Sequence, residues 1–545
     1  MSNSIFTIAV PENEPILGYA PGSGERVRLQ REIEHQAGMC LDIPLIIGGR
    51  EIRTGHTADI CMPHDHAHLL GRFHKAGEKE IRQAIDAALA AKSQWEELPW
   101  QQRASLALKA ARLISVKYRY ILNAATMLGQ SKNVYQAEID ATCELADFLR
   151  FNTHYLSAIY QLQPASTADA LNRMEYRPLE GFVLAITPFN FTAIAGNLST
   201  APALMGNTVV WKPASTAVYS GYYLMQLFKE AGFPDGVINF VPCDGDLMGS
   251  VALPSPDLAG VHFTGSTAVF QQMWRIIGEN IGHYRAYPRI VGETGGKDFV
   301  VAHASAPVEA LSTALVRGAF EYQGQKCSAV SRAYIPASLW PALRAGMQTV
   351  LQEMTLGDPR SYGHFMNALI DKTAFDRVMG YIEKARNTKQ AEIIFGGSGD
   401  ASKGYFVQPT VIAVKDPGFV TMTEEIFGPV LSLHVYPDEQ YADILAVCDR
   451  TSPYGLTGGV FATDRNAIAL AERRLRHAAG NFYINDKPTG SVVGQQPFGG
   501  ARGSGTNDKA GSMMNLLRWT SARSIKENFS PPEDYRYPFM APEAQ

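Results

Sequence analysis

The stretch that decides the fold class is residues 181–216, GFVLAITPFNFTAIAGNLSTAPALMGNTVVWKPAST. Its pattern predicts a strand at 182–187, a helix at 192–205 and a second strand at 208–211. Short β-branched and aromatic runs joined through a helix are typical of parallel strands that are buried on both faces. Polar residues follow each run at once, and parallel sheets bind their ligands at these strand ends.

The same alternation continues outward from this stretch. It predicts strands at 237–241, 259–263 and 289–292, with helices at 216–231, 247–253 and 266–281. A second alternating region begins after Glu293, with strands at 298–302, 331–335, 430–435 and 458–462 and helices at 308–322, 339–352 and 441–448. The fold class is therefore α/β, with two doubly wound domains.

The remaining segments have weaker patterns. Residues 1–75 are predicted to be irregular because they are rich in Pro, Gly and polar clusters. Residues 78–152 have a helical pattern, and Pro99 is expected to separate two helices there. The C-terminal stretch 530–545 is rich in Pro and aromatic residues, and we expect it on a surface or a subunit interface.

Composition excludes several classes of protein. The chain has 545 residues, and its 49 basic and 53 acidic side chains give a net charge of −4, which excludes a strongly basic nucleic-acid binder. No apolar run approaches the ~20 residues of a membrane span. The N-terminus lacks a signal core and an Arg-rich leader pattern, so a cytoplasmic location is expected, or the mitochondrial matrix if a leader has been removed. The six cysteines form no CxxC pair, which disfavours a disulfide framework.

The segment 322–329, YQGQKCSA, carries the candidate nucleophile Cys327. A cysteine at the end of a helical run, beside Lys326, is expected to be partly exposed, and nearby cationic charge lowers a thiol pKa. Taken alone, a single cysteine is more often a small buried residue. The neighbouring motifs shift the balance toward a nucleophile.

Two strand ends supply partners for that chemistry. Glu293, in VGETGGK at 291–297, can act as a general base for water. Asn190, in TPFNF at 187–191, can donate a hydrogen bond to a developing oxyanion. Each motif alone is equally typical of an ordinary turn.

Two further strand ends suggest a nucleotide. Lys212 ends one strand in VWKPA, and Gly265 and Ser266 open a helix after FTGS at 263–266. Backbone N–H groups at a helix N-terminus favour phosphate. Neither G-x-G-x-x-G after a strand nor G-x-x-x-x-G-K-[ST] is present, so these motifs alone give only a moderate nucleotide hypothesis.

A histidine-rich segment is a candidate metal site. Cys61, His64, His66 and His68, with His74 beyond them, include alternate positions that share one face of a strand. No second ligand pair follows at finger-like spacing, so a polar surface strand is favoured and no metal is expected.

Seven ordered motifs together resemble the aldehyde dehydrogenase superfamily. They are PFNF, WKPA, FTGS, E-x-GGK, GQKCS, EEIFGP and QPFGG, between residues 188 and 500. Within it, the chain resembles the Δ1-pyrroline-5-carboxylate (L-glutamate γ-semialdehyde) dehydrogenases. This second resemblance rests on NDKPTGSVVGQQPFGGARGSGTNDK at 485–509, QAEIDATCELADFLRFN at 136–152, NEPILGYAPGSGER at 13–26, RWTSARSIKE at 518–527 and YRYPFM at 535–540.

The resemblance implies roles for the site residues. Cys327 would be the nucleophile, Asn190 and the Cys327 N–H the oxyanion hole, and Glu293 the general base. Gly490 and Ser491 would offer N–H groups to the substrate α-carboxylate. The other residues expected at the substrate pocket are Ser328, Lys326, Phe191, Phe498 and Glu144, the two phenylalanines enclosing the aliphatic stem.

The resemblance also implies NAD as cofactor. Lys212 and Ser266 would hold its ribose and pyrophosphate, beside Thr264 and Gly265, while Glu425 and Phe427 would hold the nicotinamide ribose and position the ring. Many NAD-preferring relatives carry an acidic residue three positions after the WKP lysine, where this chain has Ser215. A neutral hydroxyl does not repel a 2′-phosphate, so NADP remains acceptable.

The resemblance implies a domain plan and partners. Residues 1–158 and 182–292 would form a Rossmann-type NAD(P)-binding domain, 293–513 the catalytic domain, and 159–181 with 514–545 a bridging element that joins subunits. A homodimer or larger homo-oligomer is expected. The length leaves no room for a proline dehydrogenase domain, so the chain would perform the second step of proline degradation after a separate proline dehydrogenase.

Four alternatives remain at this point. The nearest is another semialdehyde dehydrogenase, such as one acting on succinate semialdehyde, which residues 485–509 disfavour. A CoA-acylating enzyme is disfavoured by Glu293, and a catalytically silent scaffold by the presence of Cys327, Asn190 and Glu293 together. A hydrolytic cysteine enzyme would need a His partner and would leave the nucleotide motifs unexplained.

Overall fold

The computed structural model describes residues 7–543. Two seven-stranded sheets dominate it. The first contains five parallel strands and two antiparallel edge strands. Its spatial order is Arg289–Glu293, Leu258–Thr264, Phe182–Ile186, Thr208–Lys212, Ile238–Phe240, Leu45–Ile47 and Arg50–Ile52. The chain runs outward from Phe182–Ile186 in one direction and then returns to pair Leu258–Thr264 on its other side, so the switch point of the sheet lies between these two strands.

Alternating side chains explain why this sheet is covered on both faces. Val183 and Ala185 pack into one apolar cluster, while Phe182 and Leu184 pack into another on the opposite face. The helices that cover it are Glu78–Glu97, Trp100–Leu113, Thr192–Leu204, Val218–Ala231, Gly245–Ala252 and Thr267–Glu279. The predicted break at Pro99 is confirmed, because Pro99 stands directly before the helix that begins at Trp100.

The second sheet has six parallel strands and one antiparallel edge strand. Its order is Ala391–Phe395, Thr410–Val414, Val430–Tyr436, Val330–Pro336, Asp298–Ala302, Thr457–Phe461 and Asn481–Ile484. The accompanying helices are Val308–Phe320, Trp340–Glu353, Lys372–Arg386, Tyr441–Arg450 and Arg465–Arg474. Phe299 and Val301 again face one cluster and Val300 and Ala302 the other, which confirms the expected α/β class.

Residues 1–6 lie outside the described part of the chain, and residues 7–23 are irregular as predicted. For residues 24–75 the prediction of irregular structure is wrong. They contain the helix Gly24–Ala37 and the strands Leu41–Ile43, Leu45–Ile47, Arg50–Ile52, Thr57–Met62 and Asp65–His74. Most of these strands are only three residues long, which hides their periodicity from sequence inspection. The helix is strongly polar but buries Leu29, Ile33 and Gln36 on one face.

Residues 114–160 form a helical layer interrupted by wider turns. The segments are the helices Arg119–Gln130, Val134–Ala137 and Leu145–Tyr160 and the π-helical turns Ile114–Tyr118 and Glu138–Glu144. The helix at 119–130 ends at Ser131, which adopts a left-handed backbone with φ of 54°. Such π turns are frequently found at functional sites. The turn Glu138–Glu144 carries Asp140 and Glu144.

A two-stranded ribbon stands apart from both sheets. Ala170–Pro178 pairs antiparallel with Thr520–Asn528, and most of its side chains are exposed. The domain boundaries expected from the sequence stay a prediction, but the ribbon joins the two segments, 159–181 and 514–545, that were assigned to the bridging element. Within residues 7–543, no helix has both the length and the apolar character needed to cross a membrane.

Candidate active site

A cavity of about 330 Å³ lies where the two sheets approach each other. Its size falls in the range of small-molecule sites. Residues from the first sheet, the second sheet and the helical layer meet there. The structure brings into its lining these predicted residues: Cys327, Glu293, Phe191, Lys326, Ser328, Gly490, Ser491, Phe498, Glu144 and Thr264.

The backbone before Cys327 explains how the thiol reaches the cavity. The helix Val308–Phe320 ends in a turn in which Tyr322, Gln323 and Gly324 all have positive φ. A Cβ on Gly324 would collide with the carbonyl oxygen of Gly428, so this position requires glycine. The reversed chain then presents Cys327, which is partly exposed, before the strand Val330–Pro336 begins.

The expectation that cationic charge lowers the Cys327 pKa is wrong. Burial raises the pKa of the thiol well above its ordinary value, and the carboxyl groups of Asp298 and Glu293 add to the effect. Lys326 does not offset this, because its ammonium pairs with Glu321 at 2.9 Å. The thiol therefore stays largely protonated at neutral pH in the free protein.

Asn190 lies against the loop that carries the thiol. Its buried side chain donates a hydrogen bond of 3.0 Å to the carbonyl of Gln325, two residues before Cys327. This bond fixes the amide beside the nucleophile. A primary amide has a second N–H, so the arrangement is compatible with an oxyanion donor.

Glu293 ends the strand Arg289–Glu293 and enters the same cavity. Its carboxylate accepts a hydrogen bond of 2.9 Å from the Gly500 N–H, which joins the first sheet to the QPFGG loop. Burial raises its pKa well above the ordinary value, although the Gly500 N–H and Lys509 oppose this. A carboxylate with a raised pKa is a stronger base once it is ionised.

One end of the cavity is lined by the loop that contains Gly490 and Ser491. Ser328 and Thr489 share a hydrogen bond of 2.8 Å between their hydroxyls, so the cysteine segment and this loop are linked directly. Lys487 lies 3.3 Å from Glu321, the same carboxylate that pairs with Lys326. Two ammonium groups thus share one carboxylate, which leaves an excess of positive charge for an anionic substrate group.

Sequence reasoning missed Lys132 and Asp140. Lys132 is fully buried, lies 2.6 Å from Asp140, and faces the rings of Phe191 and Tyr322 at 4.2 and 4.5 Å. Burial lowers the pKa of Lys132, and Asp140 opposes this. No local motif marks these residues, because Lys132 and Asp140 lie far from Phe191 in the sequence and contact it only in the folded chain.

Glu144 lies one turn beyond Asp140 on the cavity wall. Burial, with help from the Asp140 charge, raises the pKa of Glu144 to about 8. The side chain is therefore mostly a neutral carboxylic acid at pH 7, and it can donate as well as accept a hydrogen bond. The structure places Glu144 in the lining of this cavity.

The cofactor candidates follow neighbouring strand ends of the first sheet. Lys212 pairs with Ile186, and Ile186 pairs with Phe263, so Lys212 and Thr264 flank the same strand end at the switch point. Ser266 is the exposed N-cap of the helix Thr267–Glu279 and accepts a hydrogen bond from the Val269 N–H. The N–H groups at the start of this 13-residue helix suit a phosphate.

Three further residues are candidates for binding the cofactor. Ser215 is exposed at the start of a 3₁₀ turn. The Glu425 carboxylate accepts a hydrogen bond of 2.9 Å from the Gly296 N–H, and burial raises its pKa. Phe427 has a left-handed backbone and its ring packs edge-on against Phe189. Ammonium, hydroxyl and helix-end N–H donors for phosphates, with a carboxylate for ribose hydroxyls, fit a dinucleotide.

The histidines of the segment 61–74 have separate partners. His64 contacts the Ser131 hydroxyl at 3.2 Å, His66 the Ala401 carbonyl at 3.0 Å and His68 the Ala37 carbonyl at 2.8 Å. Across residues 7–543, no group of three or more His, Cys, Asp or Glu side chains is arranged to hold a metal ion.

Comparison with known proteins decides the family. The model of the aldehyde dehydrogenase family matches residues 52–525, which is most of the chain. The chain belongs to the aldehyde dehydrogenase family. The prediction made from the seven motifs is therefore confirmed.

This aldehyde dehydrogenase has close relatives of known name. It is 52% identical over 536 residues to the mitochondrial delta-1-pyrroline-5-carboxylate dehydrogenase of Dictyostelium discoideum, covering 98% of this chain and 96% of that protein. It is 47% identical over 529 residues to the mitochondrial enzyme of that name from Homo sapiens, covering 97% and 94%. The NAD-bound crystal structure of the Delta-pyrroline-5-carboxylate dehydrogenase from Mycobacterium tuberculosis matches with a TM-score of 0.96 at 55% identity, covering 99% and 100%.

Proposed function

We propose that this protein oxidises L-glutamate γ-semialdehyde to L-glutamate with NAD, as the second step of proline degradation. The observation that carries the proposal is the single cavity that holds Cys327 and Glu293 together with the loop of Gly490 and Ser491. A thiol and a base serve the aldehyde end of a substrate, and backbone N–H groups beside excess positive charge serve a carboxylate. The similarity of nearly the whole chain to proteins named delta-1-pyrroline-5-carboxylate dehydrogenase supports the assignment.

The Cys327 sulfur forms a bond to the aldehyde carbon in the first step. The thiol proton passes to solvent water, and the carbonyl oxygen becomes the oxyanion of a thiohemiacetal. Asn190 and the Cys327 N–H stabilise that charge, and the loss of one such donor costs roughly 10²–10³ in kcat. Phe191 and Phe498 enclose the short methylene stem, while Ser328 and the Gly490 and Ser491 N–H groups hold the carboxylate.

Bound NAD would supply the hydride acceptor, and Cys327 would hold the thiohemiacetal carbon from which the hydride leaves. The product on the enzyme is a Cys327 thioester. Glu293 then removes a proton from water, the resulting hydroxide equivalent attacks the thioester carbonyl, and the Cys327–carbon bond breaks to release glutamate. The raised pKa of Glu293 makes its ionised carboxylate an effective base for this step.

The cofactor assignment rests on the strand-end residues. Lys212, Ser215, Thr264, Gly265 and Ser266 would hold the adenosine ribose and the phosphates. Glu425 and Phe427 would hold the nicotinamide half. Because Ser215 carries no charge, we expect NADP to be accepted more weakly rather than excluded.

The ribbon supports a proposal about assembly. Its strands Ala170–Pro178 and Thr520–Asn528 expose most of their side chains, and Tyr535, Tyr537 and Phe539 are exposed beyond it. We infer that these segments join subunits of a homodimer or larger homo-oligomer, which is the role expected for the bridging element. Light scattering that shows a monomer at micromolar concentration would refute this. We also propose a cytoplasmic location and functional coupling to a separate proline dehydrogenase.

The experiment that tests the function is a substrate panel. Purified protein is mixed with NAD and either Δ1-pyrroline-5-carboxylate, succinate semialdehyde or propanal, and absorbance of the reduced nicotinamide is followed. We expect rapid reduction with the pyrroline compound and little with the others. Reduction only with the other aldehydes would discard the substrate but keep Cys327, and no reduction with any of them would favour a silent scaffold.

A further inference from the structure

The segment 13–19, called here the strap, lies over the mouth of the cavity. Asn13, Glu14 and Ile16 line the same cavity as Cys327. The family match begins only at residue 52, so the strap is an addition to the part of the chain that the general family describes. None of the roles assigned above uses it.

Asn13 connects two walls of the cavity. Its Nδ2 donates one hydrogen bond of 2.8 Å to Asp147 and another of 2.8 Å to the Val493 carbonyl. Its Oδ1 accepts a hydrogen bond of 2.9 Å from the Gln495 side chain. Asp147 belongs to the helix Leu145–Tyr160, whereas Val493 and Gln495 belong to the loop 490–495. One amide side chain therefore ties that loop to a rigid helix.

The strap itself is held firmly to the helical layer. The Glu14 N–H donates to Asp147 at 2.8 Å, and the Glu14 carboxylate pairs with Arg119 and with Arg150. Further along, the Leu17 N–H and the Tyr19 hydroxyl both donate to the buried carboxylate of Glu138. The helical layer therefore holds the backbone of the strap, and with it Asn13, in a fixed position.

The loop 490–495 has hydrogen bonds of its own, from the Gln495 N–H to the Val492 carbonyl at 3.0 Å and from the Val492 N–H to the Gln496 side chain at 2.9 Å. Gly490 and Gly494 have positive φ, a conformation that glycine adopts freely. Gly490, Val492, Gly494 and Gln495 are exposed, and within this loop only Val493 is buried. Segments with few buried contacts open at low free energy. The internal bonds shape the loop, and the hydrogen bonds of Asn13 link it to the helix Leu145–Tyr160 and so set its position relative to Cys327.

We propose that Asn13 is a positioning residue that makes the cavity specific for aldehydes bearing a distal carboxylate. By holding Val493 and Gln495, it fixes the Gly490 and Ser491 N–H groups at the distance from Cys327 that such a substrate needs. This inference rests on the proposed function, since it assumes that this loop binds the substrate carboxylate. Binding groups ordered in advance do not lose conformational freedom when the substrate arrives.

The test compares Asn13→Ala with Glu12→Ala, a change at the exposed residue directly before the strap. For Asn13→Ala we expect KM for glutamate γ-semialdehyde to rise about tenfold, the scale for the loss of a few hydrogen bonds, with kcat within twofold. KM for propanal, which has no carboxylate, stays unchanged, as does every constant of Glu12→Ala. Gln495→Ala removes one of the three bonds, and a two- to threefold rise in KM is expected.

An equal rise in KM for both aldehydes, or no rise for the semialdehyde, would overturn the proposal. Hydrogen exchange of the free protein gives a readout that needs no substrate. Amides of 490–495 should exchange at least tenfold faster in Asn13→Ala than in Glu12→Ala, and equal rates would refute the positioning role. If the wild-type protein oxidises propanal but not glutamate γ-semialdehyde, the proposed function fails, while the exchange result still decides whether Asn13 orders the loop. If Asn13→Ala does not fold, Gln495→Ala provides both measurements.

Discussion

Lys132 and Asp140 form a fully buried ion pair of 2.6 Å directly behind Phe191. Asp140 also accepts the backbone N–H groups of Thr192 and Ala193 at 3.0 and 2.8 Å. These are the first two residues of the helix Thr192–Leu204, so the carboxylate caps that helix. The pair therefore holds the aromatic wall of the cavity and the start of the helix behind it in one arrangement.

Removing the ammonium should destabilise the fold. Lys132→Met leaves the Asp140 charge buried without its partner, which typically costs 3–5 kcal/mol. We expect the free energy of unfolding, measured with urea, to fall by about 3 kcal/mol. In the double variant Lys132→Met/Asp140→Asn at least about 1 kcal/mol should return, because no charge is left unpaired. A loss below about 1 kcal/mol in the single variant would show that the pair does not stabilise this wall.

Cys327 should react with alkylating reagents only at high pH. The folded protein raises the thiol pKa above its ordinary value, so the thiolate fraction is small at neutral pH and grows about tenfold per pH unit below the pKa. The rate of alkylation by iodoacetamide, followed by peptide mass spectrometry, should still be rising at pH 9. Cys327→Ala gives the background from exposed Cys40. A plateau below pH 8 would mean that the free thiol is already activated.

Glu293→Gln should separate hydride transfer from hydrolysis. The amide oxygen can still accept the Gly500 N–H, so the strand end should keep its place. Without a base the thioester accumulates, and rapid mixing should show one burst of reduced cofactor followed by turnover lowered roughly 10²–10⁴-fold. Because burial raises the pKa of Glu293, the wild-type steady-state rate should rise with pH as this carboxyl group ionises. Steady-state turnover of the variant within tenfold of wild type would assign the base elsewhere.

Glu144→Gln should reveal the charge state of Glu144. Its pKa of about 8 makes the wild-type side chain neutral below that pH and anionic above it. An anion in this cavity repels the substrate carboxylate, so wild-type KM should rise above pH 8 while the KM of Glu144→Gln does not. Ionisation of the substrate changes both KM values by the same factor, so its effect cancels in their ratio. A constant ratio between pH 7 and pH 9 would show that Glu144 does not titrate beside the substrate.

The parts of the fold that sequence reasoning recovered are those with regular, buried strands. Phe182–Ile186 and Asp298–Ala302 are continuous apolar runs with helices on either side, and this pattern depends only on local sequence. The strands Leu41–Ile43 and Arg50–Ile52 are too short to show a period, and they form because they pair with other strands. The π turn Glu138–Glu144 likewise has no pattern that distinguishes it from an α-helix.

The candidate site divides in the same way. Residues that follow strand ends, such as Asn190 and Glu293, were found because parallel sheets bring these ends together. Electrostatics could not be predicted: Lys326 stands next to Cys327 in sequence, but its charge pairs with Glu321, and Cys327 faces carboxylates instead. Contacts between distant segments, such as Asn13 with Val493, leave no signal in a single sequence.

The most direct test of the account is the activity of Cys327→Ser with NAD and Δ1-pyrroline-5-carboxylate. Serine keeps the shape of the site but is a much weaker nucleophile, so cofactor reduction should fall by roughly 10³-fold or more. NAD binding, measured by fluorescence titration, should remain within twofold of wild type, because the cofactor candidates lie on other strand ends. Turnover within tenfold of wild type would contradict the assignment of Cys327 as the nucleophile and, with it, the mechanism proposed for this cavity.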